Sequence, residues 1–174
     1  VRCFVSWEAD FGQPIHWHLD PRTGGRWPDD VSWADALRGA PSPASDVKHT
    51  WEIGRFPQAS HLVRAGMWSD PAAHDAALTD QVASFRAATP YGRGIHWASS
   101  QEIAFRLLAW VFALSQGALQ PEPVAEALHL GAAHTEPHIA YASRAVPKQH
   151  HPPETLAVPM AGSKRGRQGR PPRH

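Results

Sequence analysis

The chain has 174 residues, enough for one compact domain, and 42% of them are hydrophobic. A mean hydropathy of −0.42 and the lack of any apolar run near 18 residues exclude a membrane-spanning helix. A net charge of +1 and one cysteine, Cys3, argue against a nucleic-acid binder, an internal disulfide and a cysteine-based zinc site.

The small net charge conceals two unlike parts. Residues 145–174 hold six Lys/Arg against one acid, which leaves 11 basic and 15 acidic residues in 1–144. All eight tryptophans lie before position 111, and beyond Phe112 the sole aromatic residue is Tyr141. The sequence therefore divides into a looped segment (1–45), a helical body (46–144) and a basic, proline-rich tail (145–174) that is expected to be disordered, because nothing apolar repays its ordering. The N-terminus, Val1-Arg2-Cys3-Phe4, has neither the charged nor the apolar region of a signal peptide.

In chain order, residues 1–45 show little helical periodicity, and Ala40-Pro41-Ser42-Pro43-Ala44-Ser45 reads as a turn or linker. Asp46 is a plausible N-cap, after which Val47, Trp51, Leu62, Val63 and Met67 fall roughly on one stripe. Pro57 should kink that stretch or split it in two. Asp70-Pro71 is a cap followed by proline at the first helical position, and this helix should run to about Ala88. Ser99 with Glu102 three residues later forms a capping box, ahead of Ile103, Leu107, Trp110, Val111 and Leu114 at helical spacing. A fourth helix is expected from Pro123 to Leu130, extending through Gly131–Arg144 except where Pro137 interrupts it. The expected fold class is all-α.

Twelve histidines raise a metal site, but none occupies a His-Glu-x-x-His arrangement, and no metal site or cofactor is expected. Nucleophile-elbow, phosphate-loop and dinucleotide patterns are absent as well. The basic run Lys164–Arg170 lacks interleaved aromatics and reads as a solvated tail rather than a polyanion site. Two constellations remain. Glu52 and Arg55 stand at i, i+3 beside Trp51, and Glu102 and Arg106 stand at i, i+4 downstream of His96 and Trp97. Their plainest meaning is two intrahelical ion pairs. The alternative is a groove in which tryptophans stack on sugar rings and arginines bind carboxylate or sulfate.

The blocks Asp20–Pro28, Asp46–Arg55 (DVKHTWEIGR) and Gly92–Arg106 (GRGIHWASSQEIAFR) resemble, in order and approximate spacing, the N-terminal domain of heparinase II/III-like polysaccharide lyases. The resemblance covers residues 7 to about 120. It implies a segment of an (α/α) toroid of helical hairpins, followed in that family by a β-sandwich. It also implies a secreted or periplasmic enzyme, and an acidic polysaccharide such as heparan sulfate or alginate as partner, cleaved by β-elimination. On that resemblance Trp51, Glu52, Arg55, His96, Trp97, Glu102 and Arg106 are the expected substrate-groove residues, with Trp97 stacking on a sugar and Arg55 or Arg106 facing carboxylates. Glu52 and Glu102 are expected to orient the arginines. No catalytic residue is assigned, because the chain contains no asparagine and neither Tyr91 nor Tyr141 matches the family's later tyrosine. Gly54 and His96 stand where relatives commonly carry asparagine. The expectation is thus an inactive toroid fragment, with a frame shift near 131–145 as one origin of the altered tail. The alternative is a non-catalytic helical module that binds carbohydrate or protein.

Overall fold

The computed structural model describes residues 2–3 and 7–145 of the chain. The expectation of a disordered tail falls on residues 146–174, outside the described residues. The body is all-α, preceded by a two-residue antiparallel pairing of β1 (Arg2–Cys3) with β2 (Trp7–Glu8).

Residues 9–31 form no regular element, yet they carry Phe11, Trp17 and Trp27 into the protein interior. Asp20 organises this segment. Its carboxylate accepts from the Arg22 backbone N–H at 3.0 Å and the Thr23 hydroxyl at 2.9 Å. Its own N–H reaches the Gly25 carbonyl at 2.8 Å. Asp20 is fully buried, and burial pushes its carboxyl upward. The bonds from Arg22, Ser45 and Thr23, with His49 nearby, outweigh that and hold it below the usual carboxylate range.

The first helix, α1 (Trp33–Arg38), lies inside the stretch expected to be looped. Its signal was present but short: Ser32 caps the Asp35 N–H, and Gly39 closes the C-terminal end. The stretch from Asp46 splits at Pro57 as expected, into α2 (Val47–Gly54) and α3 (Pro57–Gly66). Met67 is exposed just beyond α3, so it does not continue the apolar stripe. Asp70 caps α4 (Pro71–Ala88) through the Ala72 and Ala73 N–H groups, and Ser99 caps α5 (Ser100–Ser115) through Glu102 N–H. A 3₁₀ turn at Ile95–Trp97 precedes α5. The last helix, α6 (Glu122–Ala145), runs through Pro137 rather than breaking there.

Helix α3 packs on α4 and α5, while α6 packs on α4 and α5. Their shared core contains Ile53, Phe56, Leu78, Val82, Phe85, Ile103, Leu107 and Trp110, joined by Phe11 and Trp17 from the irregular segment. Phe56 is its centre. Its ring stacks on Trp17 at 5.4 Å and meets Phe85 and Trp110 edge-on, each at 5.2 Å. A smaller cluster of Trp27, Ala36 and Ile95 joins α1 to the 3₁₀ turn.

Candidate functional site

The three sequence blocks, far apart along the chain, meet around the C-terminal end of α2. Trp51 donates its indole N–H to the Ile95 carbonyl at 2.9 Å. Thr50 donates its hydroxyl to the Leu19 carbonyl at 2.9 Å. His96 bonds the Trp17 carbonyl through Nε2 at 2.7 Å, which makes Nε2 the protonated nitrogen, since a carbonyl only accepts.

The two arginines of the expected groove take different roles. Arg55 forks onto Glu102, with Nη2 2.8 Å from Oε1 and Nε bonded to Oε2, and its Nη1 also pairs with Glu52. The expected pair within α2 is therefore present. The expected pairing of Glu102 with Arg106 is replaced by one that ties α5 to α2. Glu102 and Glu52 are both buried and orient Arg55, whose guanidinium is thereby already engaged by two carboxylates.

Arg106 is buried behind this cluster. It donates to the carbonyls of Gly54 and His96, each at 3.3 Å, and its guanidinium lies 4.8 Å from the Phe85 ring centroid. Trp97 lies beyond, 5.8 Å from the same guanidinium. Burial lowers the Arg106 pKa to about 10, with the Glu102 carboxylate opposing that shift, so the side chain stays cationic at neutral pH. It bonds the backbone that carries both Gly54 and His96, and so locks α2 to the 3₁₀ turn.

Gly54 and His96 are in contact. A Cβ added to Gly54 would lie 2.5 Å from His96 Nδ1, so the imidazole fills the space that any larger residue at 54 would claim. Positions 54 and 96 are thus one spatial unit. His18 meets His96 edge-on at 5.2 Å, and both imidazoles are buried. Burial lowers the His18 pKa to about 4, with Asp29 raising it and Arg26 lowering it further. Burial likewise holds His96 well below the usual histidine range, assisted by His18 and Arg106 and opposed by its bond to Trp17. Both rings are therefore neutral at pH 7.

Of the expected groove residues, Trp51 and Arg55 are partly exposed, and Glu52, His96, Trp97, Glu102 and Arg106 are buried. Arg55, stacked over Phe105 at 5.6 Å, opens into a shallow trough between α3 and α5 that Phe56, Ser60 and Phe112 also line. Sequence reasoning missed Phe56, His18 and Asp20. Only Asp20 carried a readable signal, the Asp-Pro-x-Thr-Gly-Gly turn. Among the described residues, no group of three His, Cys, Asp or Glu side chains is placed to hold a metal ion. None of the described helices is long and apolar enough to cross a membrane. Comparisons with protein-family models, with curated proteins and with solved structures found no match for the chain.

Proposed function

We propose that the chain is a helical-toroid segment of a heparinase II/III-like lyase that acts on uronic-acid-containing polysaccharide. One observation carries this reading: the second and third blocks that resemble the family bond directly to one another, and the residues flanking the first bond to both. Trp17 and Leu19 flank the first block, Thr50 through Arg55 belong to the second, and Ile95 through Arg106 to the third. Hydrogen bonds connect these three groups. Such a unit builds the scaffold of a glycan cleft. Trp51 and Arg55 supply its exposed edge, whereas the buried members hold that edge in place.

The described residues do not assemble an elimination centre. β-Elimination at a uronate needs a donor to the carboxylate, a base at C5 and an acid at the leaving oxygen. His18 and His96 are enclosed, and Tyr91, although exposed, meets Trp97 edge-on at 4.8 Å. The chain alone should thus bind acidic glycan weakly and turn none over. Incubation with heparan sulfate, alginate and hyaluronan, following ultraviolet absorbance of the unsaturated uronate, should give a flat trace. Sustained product release that survives repurification would overturn the reading of the chain as an inactive fragment.

A second reading, a non-catalytic module that binds carbohydrate or protein, is favoured by Trp68. Its side chain is 91% exposed beside Met67, with His61 and Arg64 on the preceding turns of α3. Loss of glycan binding on Trp68→Ala, with retention on Trp51→Ala, would select this reading.

A further inference from the structure

Between α4, α5 and α6 lies a cavity of about 210 Å³ that the glycan reading does not use. Its walls are aromatic and aliphatic: Phe85, Trp97, Trp110, Ile103 and Leu107. Such a volume exceeds the roughly 150 Å³ known to admit a benzene ring and falls below that of drug-sized pockets. A pyranose would leave most of its hydroxyls without partners on these walls, which disfavours a sugar. A flat apolar ring fits them.

The polar lining includes two arginines and an indole N–H, beside Thr89, Tyr91 and Glu126. Arg106 lines it and stays cationic, and Arg86 lines it near the surface, paired with the exposed Glu126 at 2.8 Å. Trp110 is 1% exposed, and its indole N–H has no hydrogen-bond partner. A buried donor left unpaired costs on the order of 1–3 kcal/mol, and an acceptor on a bound ligand would recover part of that. Two cations, one anion and a spare donor around an aromatic enclosure select an acceptor-bearing, anionic ring.

We propose that this cavity binds a monocyclic aromatic carboxylate, its ring among Phe85, Trp97 and Trp110 and its carboxylate taken by arginine and the Trp110 N–H. The site is independent of the lyase reading and requires no turnover.

The full chain is titrated with sodium benzoate, and with benzyl alcohol as the neutral comparison, while the indole N–H resonances are followed by NMR. Benzoate should saturate with Kd of about 0.1–1 mM, as its few heavy atoms allow, and benzyl alcohol should bind at least about fivefold more weakly. Glu126→Gln, an exposed change that removes the opposing carboxylate, should tighten benzoate about threefold. Trp110→Phe, which removes the unpaired donor, should weaken it about threefold or more. Ala127→Phe, which fills the cavity from α6, should abolish saturation. Non-saturating shifts in the unaltered chain, or benzoate binding that survives Ala127→Phe, would overturn the site. Equal affinity for the alcohol and the acid, or an unchanged Glu126→Gln, would overturn its preference for an anion. Should Ala127→Phe fail to fold, the surface variant and the two probes still decide the matter. The lyase assay reads a different product, so either reading can fail without the other.

Discussion

At the scale of single residues, the contact between Gly54 and His96 makes the two positions one packing unit. A side chain at 54 collides with the imidazole unless residue 96 yields. Gly54→Asn should therefore destabilise the protein by about 1–3 kcal/mol through overpacking. The double variant Gly54→Asn, His96→Asn should lose less than the sum of the single changes, by about 1 kcal/mol or more. Urea denaturation of the four proteins in this cycle measures the coupling, and strict additivity would show that the two positions are independent. The Arg55 fork makes a second test. Arg55→Ala removes the bonded cation from the buried Glu52 and Glu102 carboxylates and should cost about 3 kcal/mol. Arg55→Lys should recover little, since an ammonium cannot span both oxygens of Glu102 while also reaching Glu52. Recovery to near the parental urea midpoint would argue that charge alone matters. Spacing in the sequence identified these residues, and it paired Glu52 with Arg55 correctly. It gave Glu102 the wrong partner because i, i+4 geometry describes one helix and is blind to a neighbour 47 positions away.

At the scale of elements, caps and prolines proved the most readable features. Asp46, Asp70 and Ser99 each bond the N–H groups that their positions anticipate, and Pro57 opens α3. The junction between α2 and α3 was less accessible. Phe56 holds a left-handed backbone with φ of 58° because its ring is fully buried among Trp17, Phe85 and Trp110. Tertiary packing imposes that conformation, so no local propensity announces it. Phe56→Gly relaxes the backbone but empties the core, and the cavity term should dominate at about 3 kcal/mol or more. A thermal melt above that of the parent would mean that backbone strain outweighs packing. Helix α1 escaped notice because six residues give too few turns for periodicity to register. Pro137 reads in the sequence as an interruption, whereas α6 continues through it at the loss of one backbone hydrogen bond. Pro137→Ala should accordingly raise the melting temperature, and a fall would show that the ring itself is needed.

At the scale of the whole molecule, two buried neutral imidazoles make stability depend on pH. His18 has a folded pKa of about 4 against an ordinary 6.5, and His96 is also lowered. The unfolded chain takes up protons that the folded one refuses, so stability is complete above pH 6.5 and declines as pH falls from there toward 4. The urea midpoint should drop steadily across that window, and His18→Gln should flatten part of the slope. An unchanged midpoint between pH 7 and 4.5 would place both rings in water rather than in the interior. The all-α class was legible from periodicity, but the joining of the irregular segment to the helices was not, because contacts at such separations leave no local trace. That joining bears on how the protein is made. The bond from His96 to the Trp17 carbonyl closes a loop of 79 residues, and Trp17 also donates to Ser84 at a separation of 67. During synthesis the aromatic side chains of Phe11, Trp17 and Trp27 leave the ribosome long before the helices that enclose them. The nascent chain must therefore carry them without their native enclosure until α5 emerges.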